Sequence, residues 1–314
     1  MGEKYFRLSF LGNGTDLFKI QVVNFILNVV TLGLFYPWAK ARKLQYIYSN
    51  STFENHPFAF TGSGNEMFKG FINAILIFIA VYAIFLFLVY LHLRVWALLF
   101  FYIFLIMIIP LAIHGSFKYR MAKTLWKGIR FGYIGNRTAL LKLFLKGIFL
   151  TIVTLGIYGA WFSISIRRYV IEHIKMGGAN FVYRGNGKGF FVLNLKGYFL
   201  TFLTLGIYFF WWKKELFEYY VNNIELNKED KVVILKSKAT AGSFFSLLVG
   251  NLLIIIFTLG LGFPWTIIRT LEFGPENIIV YGDVDFDTLQ QSQTDYSNTT
   301  GYDIADILDS GFII

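Results

Sequence analysis

Six polar side chains sit inside stretches that are otherwise apolar. They are Gln21, Asn24 and Asn28 in the first such stretch, Lys146 and Lys196 in two later ones, and Asn251 in the last. Polar groups in hydrocarbon are costly and tend to serve a function. Gln21, Asn24 and Asn28 fall at i, i+3 and i+7, on one face of a helix. Two chemistries fit such residues: hydrogen bonding between helices, or a polar path for a solute or ion. Lys142 and Lys146 lie one turn apart near a helix entry, a spacing that suits snorkelling to headgroups.

No reaction centre accompanies them. The absence of Cys excludes disulfides, thiolate metal sites and thiol catalysis. His56, His92, His114 and His173 lack ligand spacing, and no Ser/His/Asp set or carboxylate pair falls within an apolar stretch. No cofactor or metal is expected, and an enzymatic role has no residue to carry it. Asp283, Asp285 and Asp287 form a D-x-D-x-D run without the Gly and Glu of a calcium loop. The Gly-x-Gly turns at Gly12/Gly14, Gly62/Gly64 and Gly185/Gly187 lack the Lys-Ser/Thr of a P-loop and the third Gly of a dinucleotide fingerprint. They read as tight turns from strand into helix. Their basic neighbours, Lys188 among them, suit docking of anionic lipid headgroups.

These residues are positioned by a repeated cassette. TLGLFYPW at 31–38 returns as TLGIYGAW at 154–161, TLGIYFFW at 204–211 and TLGLGFPW at 258–265. Each copy closes an apolar run and keeps Trp five places after Gly, which makes Thr31, Gly33, Trp38, Thr154, Gly156, Trp161, Thr204, Gly206, Trp211, Thr258, Gly260 and Trp265 the hinge residues. Aligned on the cassette Gly, Asn24 and Asn251 share a position with Gly147 and Gly197, and Lys146 and Lys196 share the neighbouring one. Self-similarity at such a period marks internal repetition. Five units of strand, Gly-x-Gly turn, membrane helix, cassette and amphipathic helix are expected, at about 3–52, 53–127, 128–176, 177–228 and 229–287. The second carries an insertion in place of its cassette. Residues 288–314 form an acidic tail.

Composition sets the medium. Of 314 residues 56% are hydrophobic and only 15% charged, whereas soluble domains carry about 25% charged residues. The net charge of +10 sits beside apolar runs, as topogenic Lys and Arg do, rather than in a nucleic-acid patch. The expected fold is an all-α polytopic membrane protein with about six membrane segments and short strands on its aqueous face. The longest runs are 67–91 and 95–113. Two topologies compete for the cassettes: each run crosses once, or each cassette is the tip of a re-entrant hairpin. Similar helix entries and the placement of basic residues favour hairpins; Lys40 and Lys213, seven residues past their Gly, favour crossing.

The helix entry, the cassette and the basic Tyr-rich segment after it, clearest in TLGLFYPWAKARKLQYIYSNS, resemble the YjgN family of bacterial inner-membrane proteins. The resemblance reaches to about residue 287; Gly159-Ala160 and Phe209-Phe210 depart from Tyr-Pro. It implies a multi-pass inner-membrane location and carries no catalytic residue, cofactor or substrate. Transport of a solute or ion through the repeat interface is the expected function. The alternative is a non-catalytic scaffold or a bilayer-shaping, lipid-interacting protein. Expected partners are the bilayer, anionic headgroups and a second copy or another membrane protein, with no nucleic acid.

Overall fold

The computed structural model describes residues 4–284 and 286; the acidic tail, and the Asp285 and Asp287 of the D-x-D-x-D run, lie outside them. The chain opens with β1 (Lys4–Phe6) and β2 (Leu8–Phe10), then α1 (Gly14–Val30), α2 (Tyr36–Asn50) and β3 (Ser51–Phe53). The same order of strand, two helices and strand follows in β4 (His56–Phe60), α3 (Gly64–Tyr90), α4 (Arg94–Lys123) and β5 (Thr124–Trp126). Next come β6 (Ile129–Tyr133), α5 (Arg137–Val153), α6 (Gly159–Glu172) and β7 (Ile174–Met176), then β8 (Ala179–Tyr183), α7 (Gly187–Leu203), α8 (Phe209–Asn222) and β9 (Ile224–Lys228). The last are β10 (Lys231–Ser237), α9 (Ala241–Phe257), α10 (Phe263–Glu276) and β11 (Ile278–Gly282).

This architecture corrects the all-α expectation. All eleven strands join one antiparallel sheet in the order β1-β11-β10-β9-β8-β7-β6-β5-β4-β3-β2. Its two ends, β1 and β2, are separated in sequence by Arg7 alone, so the sheet curls into a nearly closed barrel. Strands of three to seven residues are too short to persist in isolation. Closure gives almost every one of them two partners and leaves little free edge. The barrel interior is apolar: Phe6, Phe53, Trp126, Phe131, Met176, Leu226, Val233 and Val280 pack together there. The chain after β11 turns inward and adds Val284 and Phe286 to the same cluster.

The helices close as well. Each packs on its neighbours in chain order, and α10 returns to pack on α1. Both strands of every succession enter the same sheet, so the two helices between them leave it and come back. Six membrane segments are therefore not what the fold holds. Among the described residues only α3 and α4, at 27 and 30 residues, are long and apolar enough to cross a bilayer. The helices bearing the cassettes are 17 residues on the entry side and 14 or 15 on the return. The second succession, expected to lack a cassette, makes an equivalent turn at 91–93 with His92 in the left-handed region.

Candidate membrane-facing site

The hairpin tips are built by three cassette residues. Thr31 donates its hydroxyl to the Leu27 carbonyl (2.7 Å) and accepts from the Phe35 N–H (3.0 Å), tying the end of one helix to the start of the next. Thr154, Thr204 and Thr258 repeat both bonds. The next Leu takes φ near +50°, and the Gly after it φ of +88° to +95°. The Gly N–H then reaches back five residues, as Gly33 does to the Asn28 carbonyl (2.7 Å). This is the Schellman closure of a helix C-terminus. It turns Leu32, Leu155, Leu205 and Leu259 outward, each 92–95% exposed.

The cassette Trp, expected at an exit interface if each run crosses once, packs within the protein in three of the four copies. It covers the second glycine of the next Gly-x-Gly turn. Trp38 lies on Gly64, Trp161 on Gly187, and Trp265 closes the ring on Gly14. A Cβ at any of these glycines would overlap the indole. Trp211 precedes the entry that lacks paired glycines, where α9 begins with Ala241, and it stays largely exposed. The turn after α4, which has no cassette Trp before it, carries Arg137 at the covered position. The first glycine lies under the aromatic ring two residues earlier: Gly12 under Phe10, Gly62 under Phe60, Gly135 under Tyr133, Gly185 under Tyr183. Rings thus pack against both glycines of the turn, as close approach of ring to backbone requires. A tyrosine of the return helix fixes the helix entry: Tyr46, Tyr169 and Tyr219 bind both the N–H and the carbonyl of Asn13, Asn136 and Asn186. Each Asn in turn caps its helix with its side chain.

The polar positions singled out in the sequence divide into pairs across each hairpin. Asn24 is buried and donates to the Ala39 carbonyl (3.2 Å). Asn251 donates to the Thr266 carbonyl (3.4 Å) and the Thr270 hydroxyl (3.2 Å). Where the entry helix has Gly instead, the return helix supplies a ring: Phe162 over Gly147 and Trp212 over Gly197. A small residue thus faces Asn, and an aromatic ring faces Gly. Asn28 and Gln21 are half-buried on α1, and Lys146 is exposed on α5. The structure does not bring Gln21, Asn24 and Asn28 together with Lys146, Lys196 or Asn251.

Lys196 differs from the other five. Its ammonium pairs with Glu215 on α8 at 2.8 Å, and the Tyr208 hydroxyl donates to the same carboxylate oxygen at 3.0 Å. The apolar runs alone single out neither Glu215 nor Tyr208. A signal exists in the aligned copies: nine residues past the cassette Gly they read Arg42, Ser165, Glu215 and Arg269, a single acid among them.

Two buried phenols, Tyr133 and Tyr183, lie at the junction of sheet and helices, and their hydroxyls have no partner among the described residues. Burial holds both phenols well above their usual range; Tyr169 adds to the effect at Tyr133, and Arg167 partly opposes it at Tyr183. The folded protein keeps these protons where the unfolded chain loses them, near the ordinary value of 10.0. Their contribution is therefore intact below about pH 10 and lost as pH rises beyond it. Denaturation followed across that range should show a steeper loss for the native protein than for Tyr133→Phe/Tyr183→Phe. Equal slopes would contradict the assignment.

The family described as bacterial protein of unknown function (DUF898) matches residues 6–182, 132–208 and 195–307. The inner membrane protein YjgN of Salmonella typhimurium is 35% identical over 131 residues, covering 40% of this chain and 31% of that protein. YjgN of Escherichia coli K12 is 36% identical over 59 residues, 19% of this chain and 15% of that protein. The aligned stretch thus spans under a third of these relatives' length. No solved structure matches. With matches to the family running through nearly the whole described chain, the protein belongs to the DUF898, or YjgN, family of bacterial inner-membrane proteins.

Proposed function

We propose that this is a non-catalytic, lipid-interacting protein that inserts unevenly into the inner membrane and shapes it. One hairpin crosses the bilayer and four stop within it. The observation that carries this reading is the set of four apolar tips, with Leu32, Leu155, Leu205 and Leu259 at 92–95% exposure. In water such tips would be unfavourable, and in hydrocarbon they are at home.

Length supports it. A helix as long as α1 rises about 25 Å. A hydrocarbon core is roughly 30 Å thick, so the short hairpins end inside it. By the same measure α3 rises about 40 Å and α4 about 45 Å, enough to cross. The turn of the long hairpin also differs from the short ones. It carries His92 and Arg94 between Tyr90 and Trp96, the residue types found at a membrane–water interface. The sheet and the basic return helices then share the cytoplasmic side, as the positive-inside tendency would place them. A bilayer adjusts to elements shorter than its core by thinning. In this reading the five successions are internal duplications, one of them lengthened to anchor the ring.

A solute path along the ring axis, the competing function, would meet the aromatic filling of the barrel. That favours lipid as the partner over a conducted solute.

The chain lacks Cys, so single-Cys variants test the topology directly. An impermeant maleimide should label Asn55→Cys from the cytoplasmic side and His92→Cys from the opposite side. Leu155→Cys and Leu205→Cys should label from neither. Labelling of position 155 or 205 from the far side would mean that the short hairpins cross, and the proposal would be lost.

A further inference from the structure

The fourth hairpin brings both signs of charge together on its outer side. A groove of about 740 Å³ runs between α7 and α8, lined by Lys188, Val192, Lys196, Glu215, Glu218 and Tyr219 among others. Lys188, Val192, Lys196, Phe199 and Leu203 follow one another at helical spacing on α7, and that stripe faces outward. Val192, Phe199 and Leu203 are 54–65% exposed and the Lys196 side chain 50%. The groove therefore opens on the surroundings of the hairpin and not on the barrel.

Its polar groups are graded by depth. At the sheet end stand Lys188 and Glu218, the latter paired with Lys214 at 2.5 Å. Further along α7, about 12 Å by helical rise, Lys196 meets Glu215. Tyr208, which donates to Glu215, is two residues past the tip glycine Gly206. The Tyr208 hydroxyl reaches back to Glu215, so hydrogen-bonding side chains line the groove from the helix entry to the depth of Lys196, and Phe199 and Leu203 continue the stripe toward the tip. The aligned trios elsewhere are Val23, Arg42 and Phe35; Lys146, Ser165 and Tyr158; and Gly250, Arg269 and Gly262. None of them contains both signs of charge.

We propose that this groove carries the phosphate-bearing headgroup of a phospholipid between the sheet-side interface and the Lys196–Glu215 pair beneath the hairpin tip, so that the protein equilibrates phospholipid between leaflets. The inference rests on the reading that the short hairpins end in hydrocarbon. A headgroup is excluded from the bilayer interior because nothing there replaces its water. Along the groove Lys188 and then Lys196 replace water at the phosphate. Glu218 and Glu215 meet an amine or hydroxyl on the headgroup, and the acyl chains stay in lipid against Phe199 and Leu203. Thinning under the short tip shortens the remaining distance to the opposite interface.

The test uses the full-length protein reconstituted into phosphatidylethanolamine/phosphatidylglycerol vesicles with a trace of NBD-labelled phospholipid and dithionite added outside. Label in the inner leaflet should become reducible with the native protein. With Lys196→Leu/Glu215→Leu it should stay protected, as in protein-free vesicles. The exchanged pair Lys196→Glu/Glu215→Lys should keep activity, showing that loss is not misfolding. Quenching of a fluorophore at position 205 by brominated acyl chains reports insertion separately. If the tip is quenched but the native protein leaves inner label protected, or the double Leu variant exchanges lipid at the native rate, this inference fails alone. If the tip is not quenched, the proposed mode of insertion fails with it.

Discussion

Gly187→Val is expected to destabilise the protein by about 3 kcal/mol, the upper end of the usual cost of overpacking. A Cβ at Gly187 would overlap the indole of Trp161 and lie 2.8 Å from the Trp161 Cα. Rotating the ring away would relieve only the first clash. Moving a backbone atom means separating α6 from α7, helices that pack against each other. Thermal unfolding in detergent measures the effect, and Gly64→Val, against Trp38, should behave alike. Arg137→Val, at the position that no cassette Trp covers, should stay within about 0.5 kcal/mol of the native protein. Trp161→Ala will also destabilise, but Gly187→Val/Trp161→Ala should cost less than the sum of the two. Residues in contact show such coupling, and distant ones add. Strict additivity would show that the Trp–Gly contact does not hold neighbouring hairpins together.

That contact also shows what can be read in advance. The step along the chain from Trp38 to Gly64 is as long as that from Trp161 to Gly187. Both residue types are conspicuous as motifs, yet their pairing joins one hairpin to the next and follows only once the chain is known to return. Hydropathy does not reveal the return, because an apolar helix that ends in mid-bilayer and one that crosses have the same composition. The charges that argue for crossing are accommodated otherwise: the Lys213 ammonium lies over the rings of Phe209 and Trp212 at 5.1 and 5.7 Å, a stabilising arrangement where water is scarce. The strand pieces are visible in the sequence, but at three to seven residues their alternation cannot specify a partner. A barrel arises only when five hairpins bring them to one side. Lys196 is legible as a charge inside an apolar run, whereas its counterion Glu215 lies on the return helix and needs the same fold to be found.

The other large effect is expected at the barrel. Phe286→Ala should cost about 3–5 kcal/mol, the usual loss when a buried aromatic ring is truncated without collapse of its site. The ring is 5% exposed and stands 4.7 Å from Phe6, 4.8 Å from Phe53 and 6.0 Å from Trp126, centroid to centroid. Phe6 belongs to β1 and Phe53 to β3, on either side of the seam where the sheet's two ends meet. Phe286 therefore holds that seam from within, and Trp126 braces it by donating its indole N–H to the Phe53 carbonyl at 3.1 Å. Hydrogen exchange should accelerate first in β1 and β2, with Phe286→Leu intermediate. Equal protection in native and variant proteins would place the closure of the barrel elsewhere. The same variant weighs the two functions against each other. If the barrel merely closes and supports the hairpin ring, Phe286→Ala vesicles should lose protein stability and remain tight to ions. A variant that stayed folded and passed ions would make the aromatic filling a gate and restore the axial path.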